Sequence, residues 1–284
     1  MDITTLVDDI YGVVQGNGGW DKVVNDYFVS NLGETMMKRL GPSAPYPKGT
    51  LRMSSIGQPC ERKLWYSVNQ PETSEELRAA TELKFLYGDM LEELLLSLAV
   101  AAGHKVEGRQ DELRIEGIVG HRDAVIDGVT VDIKSASTYG FRKFKDHKLE
   151  TDDPFGYLYQ LGSYVYGGQE DPLVKDKDGG AFLVIDKQHG HLCLDYYDFK
   201  KIGVLDDIPN LYARRIRQTA SSTLPPRGFP TEAEGKSGNR RLGINCSYCE
   251  YKHQCHTGLR TFLYSRGPVF LTDVKKEPNV MEVK

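Results

Sequence analysis

Residues 120–137, GHRDAVIDGVTVDIKSAS, form the stretch whose residue types and spacing most clearly suggest chemistry. The pair Asp127-Gly128, flanked by alternating apolar residues, predicts a hairpin with a two-residue turn. In the register that this turn sets, Asp123 lies directly opposite Asp132. Opposed residues have their Cβ atoms about 4.5–5.5 Å apart, and like charges at that distance repel. A divalent cation would offset the repulsion, so the hairpin predicts a metal site.

Lys134 follows Asp132 by two positions, so the two side chains share one face of the predicted strand. The same register places His121 opposite Lys134. Hard carboxylate oxygens select Mg²⁺ or Mn²⁺ as the cation. The lysine can stabilise negative charge that develops on a phosphate, or help to orient the attacking water. The spacing alone also fits a solvated strand face with incidental charges, and the neighbouring features decide between the two.

A third carboxylate comes from the helix predicted over roughly residues 75–102. Glu93 lies on the polar side of this helix, whereas Glu92 lies beside the apolar stripe, so Glu92 is the preferred ligand. The alternative is a glutamate that reaches from the edge of the stripe into solvent. Gln160 and Tyr164 are four residues apart on a later predicted helix and share a face. Both can contact a phosphate or a catalytic water, although Tyr164 could equally be a core residue.

Residues 137–148, STYGFRKFKDHK, interleave basic and aromatic side chains directly after the predicted strand of Lys134. This mixture suits a DNA backbone whose bases stack on the rings. On this segment alone, a solvated amphipathic helix is the better interpretation.

Cysteines near the C-terminus suggest a second metal site. The chain has five cysteines, three of them in the run Cys-x2-Cys-x5-Cys, and a fourth ligand is available far upstream. Four thiolates can hold zinc or a [4Fe–4S] cluster. His253 and His256 are alternative ligands, which would give a zinc site with both cysteine and histidine ligands. Cys193 is predicted to be a core residue of a strand. The predicted ligand set is Cys60, Cys246, Cys249 and Cys255.

These residues must be positioned by helices and strands, and the order of the predicted elements indicates a mixed sheet flanked by helices, an α/β (α+β) fold. The predicted domains are an N-terminal helical region over 1–50, a core over 51–245, and a cysteine cluster with a tail over 246–284. The predicted elements in chain order are a helical segment over 1–40, a loop over 41–49, a short helix after Pro59, the helix over 75–102, strands ELRIEG, IVGHRDAVID and GVTVDIKSAS, a helix started near Asp153, strands AFLVID and HLCLDYYDF, a helix around 199–220, and a polar loop over 223–241.

Composition limits the class of protein. The 284 residues are 39% hydrophobic and 27% charged, as expected for a globular protein. The net charge of −4 argues against broad, nonspecific coating of nucleic acid, but it leaves room for a local basic groove. Neither a membrane-spanning apolar run nor a secretory signal pattern is present, so we expect a cytoplasmic protein with no membrane partner.

The motif order GDMLEE, GHRDAVIDG, VDIKSAS and QLGSY, bracketed by Cys60 and the C-terminal triple cysteine, resembles the PD-(D/E)XK nucleases. The branch that it resembles most is the Cas4 and RecB/AddB-type nucleases with an iron–sulfur cluster, particularly phage-encoded exonucleases. The similarity covers roughly residues 50–256. Many relatives carry histidine where Glu92 falls.

The resemblance implies a restriction-endonuclease-like core and a C-terminal iron–sulfur clasp, and it favours [4Fe–4S] over zinc. It makes Lys134 the motif lysine, and Gln160 and Tyr164 the QxxxY pair of the family. It implies that Asp123 and Asp132 ligate the metal, and the predicted set of metal ligands is Glu92, Asp123, Asp132 and Ile133. The cluster ligands that it implies are Cys60, Cys246, Cys249 and Cys255.

The leading expectation is a Mg²⁺- or Mn²⁺-dependent DNA exonuclease that acts on single-stranded or end-bearing DNA in recombination, repair or replication. Its partners would be DNA and a recombination or single-strand-binding protein, in the host cytoplasm if the gene is carried by a phage. The alternative is a DNA-binding or recombination-assembly protein that keeps the fold but cleaves little. An RNase or a zinc-stabilised hydrolase is a third possibility.

Overall fold

The computed structural model describes residues 1–42, 49–75 and 79–283. Helices and a mixed β-sheet both occur, so the predicted mixed α and β class is confirmed. Most of the predicted loop at 41–49 and the first residues of the helix predicted from 75 lie outside the described residues. Among the helices of the described part, none has both the length and the apolar character that crossing a membrane requires.

Each predicted helical segment contains an α-helix, and the N-terminal helical segment divides into two helices. Asp21 starts the second of these as an N-cap, since its side chain accepts a hydrogen bond from the amide of Val24. The short helices Met53–Ile56, Ile244–Ser247 and Lys252–Cys255 were not predicted. The helices are α1 Leu6–Val14, α2 Lys22–Leu40, α3 Met53–Ile56, α4 Glu61–Asn69, α5 Ala79–Ala101, α6 Thr138–Lys145, α7 Tyr157–Gly167, α8 Val204–Ala220, α9 Ile244–Ser247 and α10 Lys252–Cys255.

The β-strands form two five-stranded sheets and a separate hairpin within the described residues. The strands are β1 Val106–Glu107, β2 Glu112–Ile115, β3 Ile118–His121, β4 Ala124–Ile126, β5 Val129–Ala136, β6 Gly179–Asp186, β7 Leu192–Asp198, β8 Glu232–Glu234, β9 Asn239–Arg241, β10 Arg260–Tyr264, β11 Gly267–Asp273 and β12 Glu282–Val283.

The chain divides into two compact units. Unit 1 contains the described residues of 1–42, 52–57 and 79–212, and unit 2 contains those of 49–51, 58–75 and 213–283. These units join segments that are distant in the chain, whereas the predicted domains were continuous stretches that ended at residues 50 and 245. The domain prediction therefore stays a prediction.

The sheet of unit 1 has the strand order β1-β4-β5-β6-β7, with β5 in the centre. β5 is antiparallel to β4 and parallel to β6, so this sheet is mixed. Alternation along β5 gives its two faces different roles. Val131 and Ile133 belong to the apolar core that includes α1 and α5. Asp132 and Lys134 therefore lie on the opposite face, which is the face that matters for chemistry.

The segment IVGHRDAVID, predicted as one strand, is two strands that belong to different sheets. β3 pairs with β2, and His121 lies opposite Glu112. The prediction that His121 lies opposite Lys134 is therefore wrong. The chain leaves the β2–β3 hairpin at Arg122, whose side chain is fully buried, and it enters the central sheet only at Ala124.

Arg122 fixes the segment between β3 and β4 through a buried ion-pair network. Its Nη2 atom lies 2.7 Å from Oδ2 of Asp111 and 2.5 Å from Oδ2 of Asp171, and its Nε donates to the carbonyl of Gly108 at 3.2 Å. A buried guanidinium needs such partners, because desolvation of an unpaired charge is costly. Arg122 therefore fixes the backbone immediately before Asp123.

We expect Arg122→Met to lower the free energy of unfolding by about 3 kcal/mol, because the variant leaves two carboxylates without their buried partner. The matched control is Arg114→Met. The Arg114 side chain is 59% exposed and pairs with Glu112 on the surface, so this change should cost less than about 1 kcal/mol. Urea unfolding followed by circular dichroism measures both values. Equal midpoints for the two variants would contradict the assigned role of Arg122.

The sheet of unit 2 was not predicted. Its strand order is β12-β10-β11-β9-β8, and it includes β8 and β9 inside the stretch 223–241 that was predicted as a loop. Both strands have only three residues and are mostly polar, so they show no hydrophobic alternation. Arg241 pairs with Leu271, far along the chain, and this pairing cannot be read from a local pattern.

Candidate functional site

The hairpin of β4 and β5 has the predicted turn and register. Asp127 and Gly128 have φ values of 51° and 89°, the left-handed conformation that a two-residue hairpin turn requires. Ala124 lies opposite Val131, as predicted. Oδ2 of Asp127 lies 2.6 Å from Nδ1 of His104, and this contact holds the turn in place.

Asp123 stands where the β4–β5 ladder ends. Its Oδ2 atom accepts a hydrogen bond from the backbone amide of Ile133 at 2.7 Å. This side-chain contact replaces the backbone pairing, which ends at Ala124. The contact holds the Asp123 carboxylate against β5, next to Asp132. The apolar side chain of Ile133 lies in the core on the other face of the sheet.

Asp132 and Lys134 form an ion pair on β5. Nζ of Lys134 lies 2.5 Å from Oδ2 of Asp132, and the aspartate is only 1% exposed. The ammonium group also lies over the ring of Tyr157, 5.0 Å from its centroid, which is a cation–π distance. The lysine is thus held in a defined position beside the carboxylate.

Glu92 and Glu93 have different environments, and the environment of Glu93 corrects its predicted place on the polar side of the helix. Glu93 is buried; it pairs with Arg109, whose Nε lies 3.1 Å from Oε2, and accepts a hydrogen bond from Thr35 at 2.6 Å. Glu92 instead accepts one hydrogen bond, from Nε2 of Gln110 at 2.8 Å. Since Glu93 is committed to a structural network, Glu92 is the glutamate that remains available to a ligand.

Gln110 is a site residue that was not predicted from the sequence. Its side chain donates to Glu92, and its backbone amide donates to the carbonyl of Asp123 at 3.2 Å. The residue has a φ of 55°, in the left-handed region, which turns the chain so that both contacts form. Gln110 lies 18 positions from Glu92 along the chain, and no motif spacing points to it.

The carboxylates of this cluster destabilise one another's charges. Burial raises the pKa of Asp123 well above its usual value, and the charges of Glu92 and Asp132 raise it further. Burial, followed by the charge of Glu93, raises the pKa of Glu92 to about 7. Burial also raises the pKa of Asp132, although the ammonium of Lys134 opposes this shift. A cation bound among the carboxylates would stabilise their ionised forms.

Lys134 keeps its proton in this cluster. Burial lowers the pKa of the ammonium group, but the charges of Asp132 and Asp123 outweigh burial and raise it. In this arrangement Lys134 is therefore a cation and a hydrogen-bond donor.

Gln160 and Tyr164 contact each other on α7, as their spacing predicts. Nε2 of Gln160 lies 3.2 Å from the hydroxyl of Tyr164 and 3.4 Å from Oδ1 of Asp132. Burial raises the pKa of Tyr164, so its hydroxyl stays protonated. Both side chains adjoin the carboxylate cluster as donors, although Tyr164 is also a buried residue of the core.

The donor set fits Mg²⁺ or Mn²⁺ by its chemistry, since Glu92, Asp123 and Asp132 offer hard oxygens. Oδ2 of Asp123 accepts a hydrogen bond from the amide of Ile133, and Oδ2 of Asp132 lies 2.5 Å from Nζ of Lys134. Within residues 1–42, 49–75 and 79–283, no three His, Cys, Asp or Glu side chains already stand in the arrangement of a metal site.

In unit 2, four cysteines line one pocket, as predicted. Cys60 is the N-cap residue of α4, and the other three lie in or directly after the short helices α9 and α10. The pocket wall also contains Tyr66, whose ring stacks on Tyr251 at 5.5 Å. The cysteines of the pocket are Cys60, Cys246, Cys249 and Cys255. The fifth cysteine, Cys193, lies on β7 in unit 1, in the strand that was predicted for it, but it is only partly buried, so the prediction that it is a core residue is wrong.

The lining of this cysteine pocket fits a bound inorganic group. Burial raises the pKa of Cys246 to about 11 and that of Cys249 to about 12, so these thiols ionise only beside a strong positive charge. Nη1 of Arg62 donates to Sγ of Cys255 at 3.7 Å. Within the described residues, Nε of Arg62 and Nε2 of His256 are buried without a hydrogen-bond partner. Such unsatisfied atoms in a thiol-lined pocket are typical of a site that binds a further group.

No protein-family model matches this chain, and no curated protein matches it. The chain is similar to one solved structure that is described as the crystal structure of SSO0001. The match covers 84% of this chain and 97% of that chain, with 15% sequence identity and a TM-score of 0.43. We draw no conclusion about the site from a likeness of this degree.

Proposed function

We propose that the chain is a Mg²⁺- or Mn²⁺-dependent DNA exonuclease with a restriction-endonuclease-like core. The observation that carries this proposal is the cluster of the carboxylates of Glu92, Asp123 and Asp132, of which Asp132 is buried, with the ammonium of Lys134 beside it. Besides burial, the charges of Glu92 and Asp132 raise the pKa of Asp123, the charge of Asp132 also raises the pKa of Glu92, and the ammonium of Lys134 opposes the shifts of both aspartates. A binding protein gains nothing from such a cluster, whereas a metal-dependent hydrolase requires it.

Each residue of the cluster has a distinct role in this proposal. Glu92, Asp123 and Asp132 would hold the metal, and a bound Mg²⁺ or Mn²⁺ supplies an activated water and neutralises charge on the phosphate. Lys134 donates a hydrogen bond to an oxygen of the scissile phosphate or to the attacking water. Gln160 and Tyr164 are neutral donors that orient the same phosphate.

The cysteine pocket of unit 2 would hold a [4Fe–4S] cluster through Cys60, Cys246, Cys249 and Cys255. The bound group would join segments that are far apart in the sequence, which is a structural role. Support comes from four cysteines around one pocket and from the unsatisfied atoms of Arg62 and His256.

The proposal is tested with end-labelled single- and double-stranded DNA, incubated with the purified chain in Mg²⁺, in Mn²⁺ and in excess chelator. Progressive shortening from an end is expected with either metal and not with chelator. Unlabelled RNA added as competitor should leave the rate unchanged. Intact DNA under every condition, with DNA binding retained, would favour the non-cleaving recombination-assembly protein instead.

We expect Gln110→Ala to lower kcat/KM for DNA cleavage by about 10- to 100-fold, the range for residues that orient metal ligands. The change removes the hydrogen bond that holds Glu92, but it leaves every proposed ligand in place. Gln169→Ala is the matched control, since Gln169 donates to the carbonyl oxygens of Val165 and Lys177, away from the cluster. Equal activity of the two variants would remove Gln110 from the site.

A further inference from the structure

Unit 1 has another concave surface, between α6 and the connection from β6 to β7. We call it the α6 pocket, and its volume is about 300 Å³, within the range of small-ligand sites. It is separate from the carboxylate cluster, and the proposed nuclease chemistry does not use it. The polar residues that line it are Thr138, Arg142, Lys145, Asp186, His189 and His191.

Helix α6 presents one face to this pocket. Thr138, Arg142 and Lys145 occupy positions i, i+4 and i+7, which form one row of a helix. Phe144 packs against Phe182 of β6 with ring centroids 5.3 Å apart, and this contact holds the helix on the sheet. Neither Arg142 nor Lys145 forms an ion pair with another residue in the described part of the chain. Two full positive charges are therefore available to a ligand.

The acidic residue of the pocket is already satisfied. Oδ1 of Asp186 accepts hydrogen bonds from the amide of Gln188 at 2.9 Å and from the hydroxyl of Thr138 at 3.3 Å. Oδ2 lies 3.0 Å from Nδ1 of His189. These contacts offset the carboxylate charge and fix the imidazole of His189. Its Nε2 has no hydrogen-bond partner among the described residues, and in the protonated imidazole it can donate to a ligand. His191 adds a second imidazole, stacked on the first with centroids 6.2 Å apart.

The α6 pocket lies close to the carboxylate cluster on the same face of the sheet. Asp186 is the register partner of Ala136, which is two residues beyond Lys134 on β5. With a rise of about 3.3 Å per residue and a strand spacing of about 4.8 Å, the Cα atoms of Lys134 and Asp186 are about 8 Å apart. This separation is comparable with the spacing of neighbouring phosphates along a nucleic-acid strand.

We infer that the α6 pocket binds a phosphate group of the nucleic-acid strand, next to the phosphate that the carboxylate cluster acts on. Arg142 supplies a planar fork for phosphate oxygens, Lys145 supplies a point charge, and the imidazoles supply further donors. A cation is the wrong ligand here, since the arginine and lysine would repel it. The inference rests on the proposed function for the identity of the strand. The phosphate can be internal, or it can be the terminal group of a strand end.

The test uses short, internally labelled single-stranded oligonucleotides, with and without a terminal phosphate, and fluorescence anisotropy in excess chelator. The variant is Arg142→Gln with Lys145→Gln. Its affinity is expected to fall about tenfold, and the slope of log K against log salt to fall by about 0.7 to 1, the loss of one phosphate contact. Lys143→Gln is the matched control, because Lys143 is on the same helix but pairs with Asp152 and does not line the pocket.

An equal loss of affinity for both oligonucleotides would identify an internal phosphate, and a loss confined to the phosphorylated one would identify a strand end. Affinity and salt slope equal to those of the Lys143→Gln control would overturn the inference, as would a wild-type chain that binds neither probe. Cleavage in Mn²⁺ separates the two proposals. A wild-type chain that binds through the pocket but cuts nothing disproves the nuclease alone. A double variant that binds and cleaves normally disproves the pocket alone.

Discussion

Replacement of Asp132 by asparagine is expected to reduce DNA cleavage in Mn²⁺ by about 10³-fold, because a metal centre contributes several kcal/mol of transition-state stabilisation. Asparagine has nearly the same shape but lacks the charge that a divalent cation needs. The fold should tolerate the loss of the ion pair with Lys134, since the ammonium group keeps the charge of Asp123 nearby. Single-turnover cleavage of end-labelled DNA measures the loss, and thermal unfolding checks the fold.

Asp195→Asn provides a matched control for this experiment. Asp132 and Asp195 both lie opposite Phe182, one on each neighbouring strand of the same sheet, and both are buried. Burial raises the pKa of Asp195 as well. Asp195 contacts His147 and Tyr197 and lies outside the carboxylate cluster, so its variant should keep wild-type cleavage. If both variants cleave at the wild-type rate, the proposed metal site is wrong.

Replacement of Cys246 by serine is expected to remove the bound iron and the broad absorbance near 400 nm that a [4Fe–4S] cluster gives. Unit 2 should then unfold more readily, because the free energy of binding a structural metal group is also free energy of folding. The local reason is the composition of the cysteine pocket. Without the group, its partly buried thiols would share no ligand, and Nε of Arg62 would have no partner. Iron analysis, visible absorbance and limited proteolysis measure the outcome.

Cys193→Ser is the matched control, since Cys193 lies on β7 and does not line the cysteine pocket. Its variant should keep the iron content and the colour of the wild-type chain. If the wild-type chain is colourless and contains one zinc per molecule, the bound group is zinc and not an iron–sulfur cluster. A wild-type chain without bound metal, and with the same stability as Cys246→Ser, would exclude both.

The hairpin of β4 and β5 could be predicted because its information is local. The pair Asp127-Gly128 adopts the left-handed conformation that only a few residue types accept, and the turn sets the register of Ala124 against Val131. Helical periodicity likewise predicted the contact between Gln160 and Tyr164. Such features depend on backbone geometry within a few residues, so the sequence carries them directly.

The choice between Glu92 and Glu93 shows where local reasoning ends. Glu92 was preferred from the sequence, but for the wrong reason, since Glu93 was predicted to lie on the polar side of the helix. Glu93 is the more buried of the two, because Arg109 and Thr35 come from other segments to bind it. Helical periodicity gives the angle of a side chain around its own helix, but it does not say which charged partner another segment will bring.

By itself, the sequence determined the mixed class of fold, the β4–β5 hairpin and the cysteines that line one pocket. The tertiary structure alone decided that the predicted strand is interrupted at Arg122, that Gln110 lies beside Glu92, and that unit 2 contains a five-stranded sheet. The physical reason is the range of the interactions. Turns and periodic faces are set by neighbouring dihedral angles, whereas buried ion pairs and short polar strands exist only after distant segments have met.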